Sequence, residues 1–586
     1  MGETSRREMS AAADLPKRTF VLALLAVLIA GGVLRGLFPA ADPPWNPTVG
    51  IVWHDEGPWV HNARNKALFG AWSLDKWNPV YIAPVFTALE YLSFRAFGVG
   101  VRQARIVPEV CGLLSVWLLG LGVSRIAGRR AGLIAAALLA TNYIYVMWNR
   151  AALMEGPMIA FMVAAWYCHA RAQDRSEWGV AAGIFAVIAF FTKASAAFFV
   201  GAVGLDALLR LIRRGDASNA RDRRAEWWTL AGLAAAGLVV FAIFVLPHWS
   251  EYRFYNWQMS VTRKPSYTLK SLVDRVTWFP LQDAFTYMWF VTAVGTVAAL
   301  GLLARWRELT AGERLLLLWM GLGALELIVH DAGNERRFVL FVPPLVALTA
   351  IALGRREIVA ESTERVPRAR ALAALPVVLY AAYFVAASAV RVAFLREISP
   401  NVRIAAAIAV VLTIIVYATW PRIPRLLARG GWNPAASMAL ALLLSAGFVI
   451  QYIQWARGRS YKNYMASIEL GQTLPPGTLV HGKLANGLAL ENRIRPIFIG
   501  RGFGNYDDRK TRDDVRYILT YVSPWLGYES QAHDPIILDV INAYPDHRII
   551  RTFDVAETAT GHDRAALIDK FGGGRSETAL SGRAKD

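Results

Sequence analysis

Apolar runs separated by short polar or basic turns dominate the chain as far as Trp455. They are Phe20 to Leu37, Ile106 to Ala127, Ala131 to Trp148, Met158 to Tyr167, Val180 to Phe191, Ala194 to Leu211, Trp227 to Leu246, Ala284 to Leu303, Leu315 to Val329, Phe338 to Leu353, Ala371 to Val390, Ile404 to Trp420 and Ala435 to Trp455. By the length a hydrocarbon core demands, this pattern predicts a polytopic α-helical membrane protein with about thirteen transmembrane helices. The run Tyr81 to Phe97 is interrupted by Glu90 and Arg95 and falls short of the roughly 20 residues a span needs, so it reads as re-entrant or interfacial. The first run follows Arg6, Arg7, Lys17 and Arg18, ends at Arg35 and Pro39, and has no small-residue cleavage site behind it; it reads as a retained anchor.

The basic residues sit between apolar runs. Arg129 and Arg130, the segments Arg171 to Glu177 and Arg210 to Arg224, and the segments Arg305 to Arg314, Arg355 to Arg370 and Pro421 to Arg429 all mark cytoplasmic turns. The N-terminus (residues 1–18) is then cytoplasmic, the transmembrane domain covers 19–455, and the loop 39–105 lies outside with Asn149 to Pro157, Thr192-Lys193, Pro247 to Asp283 and His330 to Arg337. Composition agrees: 55% of the 586 residues are hydrophobic and 18% charged, with a mean hydropathy of +0.34. The net charge of +19 is a topology signal and not a nucleic-acid surface, because its cations fall in turns. Cys111 and Cys168 lie in apolar runs and give neither a disulfide framework nor a thiolate metal site.

From Arg457 the composition turns soluble. Short strand-like runs at Thr478 to His481, Pro496 to Gly500, Tyr517 to Val522 and Arg548 to Arg551 alternate with helical patterns at Leu484 to Glu491 and Ile536 to Ala543. They predict a small extracytoplasmic α/β domain over 456–558, with a disordered tail at 559–586.

Chemistry concentrates on the outer side. The loop Gly50 to Asn65 carries Asp55 and Glu56 between His54 and Trp59. Adjacent carboxylates beside a membrane need water or a ligand, although Asp55 as a helix cap within an aromatic belt is the structural alternative. Glu155, in Asn149-Arg150-Ala-Ala-Leu-Met154-Glu155-Gly156-Pro157, shares that compartment. Lys193 stands between two apolar runs and should meet an anion, unless it snorkels from a helix end. Arg336 and Arg337 oppose the orientation rule, which asks for a local reason: a phosphate held by paired guanidinium contacts, or pairing with Glu335 or Asp331. Outer carboxylates, a buried lysine and paired arginines beside lipid suit glycosyl transfer from a lipid-phosphate sugar.

These motifs resemble, in order and spacing, the GT-C superfamily of bacterial integral-membrane glycosyltransferases, in the branch of protein O-mannosyltransferases and the lipid A aminoarabinose transferase. The likeness covers roughly the first 350 residues and rests on Asp55-Glu56, Pro79 to Pro84, Gly128-Arg129-Arg130-Ala131-Gly132-Leu133, Asn149-Arg150, Met154-Glu155-Gly156-Pro157, Phe191-Thr192-Lys193, and Arg336-Arg337-Phe338 with Pro343-Pro344. It implies a GT-C fold, Asp55 as catalytic base with Glu56 and Glu155 beside it, and Lys193, Arg336, Arg337 and Arg150 at the donor phosphate. His54, Trp59, Asn62 and Arg64 fall in the loop it assigns to the acceptor. Two departures stand out: Glu155 replaces a frequent aspartate, and Ala194-Ser195 follow Lys193 where glycine is common.

It further implies an inverting reaction with no metal or other cofactor. The donor would be a polyprenyl-phosphate-linked sugar and the acceptor an envelope glycan, lipid or protein. The setting would be a bacterial plasma membrane, with membrane lipids and no nucleic acid as partners. A flippase for lipid-linked sugars would need similar cations but should show interrupted helices in two related halves, which the sequence lacks; a non-catalytic envelope scaffold would not need Asp55.

Overall fold

The computed structural model describes residues 15–44, 51–212, 220–260, 267–330, 335–354, 373–393, 398–419, 433–521, 542–556 and 563–572. Helix α1 (Lys17–Gly36) leads into a loop, a 3-10 turn at Trp53–Asp55 and helix α2 (Glu56–Phe69), which Gly70 ends with a φ of 80°. Helix α3 (Pro84–Phe97), opened by proline at its first position, has 14 residues. That is below spanning length, as the charges in its sequence suggest.

Then follow α4 (Val101–Ala127), α5 (Arg129–Thr141) and α6 (Tyr143–Asn149). The run Ala131 to Trp148 reads as one helix, yet it breaks by 60° at Asn142. The Asn142 side chain accepts from the Tyr145 backbone N–H and so caps α6 as a new helix. Helices α7 (Glu155–Arg171), α8 (Trp178–Thr192), α9 (Ala197–Ile212) and α10 (Ala220–Val240) continue the bundle. Among the described residues eight helices are long and apolar enough to cross a membrane, nine if the bent pair is one span. The larger number expected from sequence includes shorter apolar helices such as α8.

One group of buried charges ties three helices of the bundle together. At the end of α7 remote from Glu155, His169 Nε2 meets Asp206 Oδ2 at 2.9 Å, and Arg314 Nε donates to Asp206 Oδ1 at 2.7 Å. The three fasten α7 and α9 to α11 (Ala311–His330), each charge compensated where hydrocarbon would penalise it alone. The 3-10 stretch Glu335–Phe341 then leads into α12 (Val342–Gly354), most of which is buried.

Helix α13 (Pro434–Arg457) leads to the last domain, where α14 (Lys462–Thr473) precedes a five-stranded sheet. Its strands are β1 (Leu479–His481), β2 (Arg495–Ile497), β3 (Tyr517–Tyr521), β4 (Arg548–Val555) and β5 (Asp563–Asp569), in the order β2-β1-β3-β5-β4. The residues 563–569 lie beyond the boundary drawn from sequence, inside the segment expected to be a disordered tail. They pair antiparallel with both β3 and β4. The first half of β5, Asp563-Arg564-Ala565-Ala566, carries little strand propensity, so the pairing with neighbouring strands sets where it begins. Of the helical pattern expected at Ile536 to Ala543, residues 536–541 lie outside the described residues.

Candidate active site

Four segments far apart in sequence converge at one end of the bundle. Asp55 ends the 3-10 turn before α2, Glu155 opens α7, Lys193 closes α8, and Arg336 lies on the stretch before α12. Arg336 Nη1 donates to Asp55 Oδ2 at 2.9 Å, and its Nε lies 3.7 Å from Glu155 Oε1. Lys193 Nζ donates to the same Glu155 oxygen. The guanidinium therefore bridges the two carboxylates, and Lys193 secures the second.

The other oxygen of Asp55 meets a residue that sequence reasoning did not select. Lys483 Nζ, at the start of helix α15 (Lys483–Gly487) between β1 and β2, lies 2.9 Å from Asp55 Oδ1. Nothing local marks it, because it is brought 428 positions along the chain by the docking of a separate domain. Arg337 is half-buried beside Arg336, and its charge is felt at Lys193.

Burial alone would raise the Asp55 carboxyl, but Lys483, Arg336 and His54 outweigh it and hold it well below the ordinary carboxylate range. In the unliganded protein Asp55 stays ionised throughout the range where unperturbed aspartates titrate. Its pairing stabilises the fold above the unfolded pKa and is lost only as pH falls through the depressed value. If the site turns a substrate over, kcat/KM followed against pH should consequently show no acid limb from Asp55 between pH 4 and 7 (roughly the unperturbed range).

The remaining residues singled out from sequence hold this arrangement from outside. Glu56 forms a two-pronged pair with Arg105, at 2.8 and 2.7 Å, and its Oε1 also accepts from the Ala152 backbone N–H at 2.7 Å. Arg105 further donates to the carbonyls of Pro39 and Ala41. Glu56 is thus tied to the loop after α1 and to the link before α7, and faces away from the cluster. Arg105 was missed because it stands at the edge of an apolar run.

Arg150 donates to the carbonyls of Leu34, Arg35, Leu37 and Phe38 and lies 4.7 Å from the Trp455 ring. It closes the C-terminal end of α1, whose last carbonyls lack intrahelical partners. His54 Nδ1 is 3.1 Å from the Tyr521 hydroxyl of β3. Asn62 bonds Trp72, Asn78 and Val80 and so shapes the turn before α3. Arg64, 1% exposed, donates to the carbonyls of Ala489, Asn492 and Ile494. Trp59 adjoins the cluster, with its ring 5.9 Å from the Arg336 guanidinium carbon.

The segment after α1 and the last domain touch backbone to backbone. A Cβ on Gly57 would fall 1.9 Å from the Asn486 carbonyl oxygen, and one on Gly487 would fall 2.8 Å from His54 Cβ. Asn486 Nδ2 lies 3.0 Å from His61 Nδ1, and His61 Nε2 lies 3.1 Å from Asp75 Oδ1. Asp75 in turn accepts from the Phe498 backbone N–H. Gly57→Ala should therefore part the two surfaces and move Lys483 away from Asp55. The expected result is a loss of turnover of about a hundredfold with a lower Tm; an active, equally stable G57A protein would refute the close packing.

The fold, and one stretch of the sequence, are similar to those of known proteins. Residues 81–249 match the family model described as dolichyl-phosphate-mannose-protein mannosyltransferase. Among solved structures the chain is similar to ArnT from Cupriavidus metallidurans in the apo state, with a TM-score of 0.56, 16% identity, and 94% of this chain and 98% of that one covered. The same ArnT bound to undecaprenyl phosphate gives 0.49 at 16% identity, covering 94% and 98%. The arabinosyltransferase EmbB from Mycobacterium smegmatis gives 0.43 at 17% identity, covering 75% and 42%. No curated protein sequence matches the chain.

Proposed function

We propose that this protein transfers a sugar from a polyprenyl-phosphate donor to an acceptor hydroxyl on the outer face of a bacterial plasma membrane, with inversion and without a metal. The observation that carries the reading is the cluster itself: Asp55 and Glu155 face Arg336, Lys193 and Lys483, leaving a surplus of positive charge beside lipid. A phosphodiester donor carries one negative charge and would complete that balance. The family model's own description names a lipid-phosphate sugar as donor, which supports the same class.

In this mechanism Asp55 accepts the proton of the acceptor hydroxyl while its oxygen bonds to the anomeric carbon. The bond from that carbon to the phosphate oxygen breaks, and polyprenyl phosphate departs with the electron pair. Arg336, Lys193 and Lys483 stabilise the charge gathering on it. Glu155 acts through the cations, holding Lys193 and Arg336 where a phosphate would need them. Exposed Trp249, Phe254, Trp257, Leu269, Val273 and Trp278 on the segment from 249 to 278 offer an apolar flank for the prenyl chain.

The test is release of polyprenyl phosphate by purified protein supplied with a panel of radiolabelled polyprenyl-phosphate sugars and crude envelope acceptor, with EDTA present throughout. Asp55-dependent release with one donor supports the reading; no release with any donor, beside vesicle flipping of the same lipids, would replace it with transport.

A further inference from the structure

Each oxygen of Asp55 is covered by a different cation, and the two cations come from different parts of the fold. Arg336 belongs to the membrane bundle and is planar, and it is also engaged by Glu155. Lys483 belongs to the extracytoplasmic domain, and its compact charge rides on a flexible stem that can move a few ångströms without losing a fixed fork geometry. A carboxylate covered in this way is ionised but a poor proton acceptor, so the free enzyme holds its base in check.

The backbone that carries Lys483 is fixed closely. Gly482 before it has a φ of 122°, and a Cβ there would fall 2.4 Å from the Leu519 carbonyl oxygen of β3. After it, the Asn486 and Gly487 backbones press on Gly57 and His54, and the Arg64 guanidinium binds three carbonyls just beyond. The domain is therefore docked by contacts that do not use Lys483. Its ammonium reaches across the junction to the base, 13% exposed, where a fastening role is already filled.

Building on the transferase reading, we propose that the extracytoplasmic domain is part of the catalytic centre: Lys483 rests on Asp55 in the free enzyme and passes to the donor phosphate on binding, so that the donor itself releases the base. The exchange conserves charge, because the phosphodiester replaces the carboxylate as the partner of the ammonium. It also orders the reaction. Asp55 becomes an effective base only in the donor complex, and no acceptor is activated beforehand.

The experiment compares wild type, Lys483→Ala, Lys483→Gln and Asp55→Asn as full-length proteins, reading undecaprenyl phosphate binding, the pH profile of kcat/KM and thermal melting. Loss of Lys483 should weaken undecaprenyl phosphate binding about tenfold in either variant, as expected for one charge-assisted contact. It should also bring an acid limb into the kcat/KM profile at higher pH than in wild type, because Asp55 loses one of the cations that depress it. Asp55→Asn should bind undecaprenyl phosphate at least as tightly as wild type, since its carboxylate no longer competes for Lys483.

Unchanged binding and an unchanged pH profile in both lysine variants, with only a lower melting temperature, would reduce Lys483 to a fastening pair and overturn the inference while leaving the transferase reading intact. A wild-type protein that neither binds undecaprenyl phosphate nor releases it from any donor would instead overturn the transferase reading, and this inference with it.

Discussion

Asp55→Asn should lower kcat by about a thousandfold while leaving the folded protein intact, the scale on which a positioned general base contributes. The substitution keeps the side chain's shape and lets its amide oxygen still accept from Arg336 or Lys483, so the local packing survives. What disappears is proton affinity. The discriminating feature is that donor-lipid affinity should stay or rise, because Arg336 and Lys483 no longer share their charge with a carboxylate. A drop in both turnover and lipid affinity would identify Asp55 as an organiser of the cations and not the base. Retained turnover in D55N would remove it from the chemistry altogether. Single-turnover assays and lipid binding measured on the same preparation distinguish these outcomes.

The second large effect is expected at Arg336. Its guanidinium touches Asp55 through one nitrogen and approaches Glu155 through another, with its plane near Trp59. Removing it in Arg336→Ala leaves the half-buried Asp55 and the buried Glu155 with fewer compensating charges, and deprives a departing phosphate of a fixed donor. A loss of about a hundred- to a thousandfold in kcat/KM should follow, the scale of deleting one preorganised donor at a developing charge. Arg336→Lys should rescue little, because one ammonium on a flexible stem cannot span both carboxylates. Near-complete rescue by lysine would mean that charge alone matters at this position, and that the bridge to Glu155 is incidental.

The two predictions differ in their signature on the donor. D55N spares lipid binding and R336A weakens it, so a side-by-side titration with undecaprenyl phosphate separates base from phosphate ligand even if both variants are inactive. Glu56, by contrast, is expected to act on stability first. Its carboxylate is already saturated by Arg105 and the Ala152 N–H, and breaking a buried pair by removing one partner leaves an uncompensated charge.

Much of the arrangement was legible along the chain. Apolar runs and basic turns placed Asp55, Glu155, Lys193 and Arg336 in one compartment, because hydrocarbon length and loop charge are local quantities that need no tertiary knowledge. The same rule made Arg336 conspicuous as a cation on the unfavoured side. The structure pairs it with Asp55, while the alternative partners Asp331 and Glu335 lie where side chains are outside the described residues.

The rest depended on the tertiary structure. Whether a charged side chain faces the cluster or props it up is decided by direction and by neighbours distant in sequence: Glu56 adjoins Asp55 yet turns to Arg105, and Arg150 adjoins the Glu155 segment yet closes the end of α1. Strand β5 forms because β3 and β4 offer it backbone partners, although its first four residues, Asp563 to Ala566, favour no strand. Lys483 is the clearest case. The sequence determines that a soluble domain follows the last apolar run, on the same side as Asp55. Only the docking of that domain, through Arg64, His61 and the glycine contacts at Gly57 and Gly487, decides that one of its lysines ends 2.9 Å from the carboxylate. Local pattern sets membrane side and helix length, whereas a charge–charge contact between separate domains is fixed by packing that no local pattern encodes.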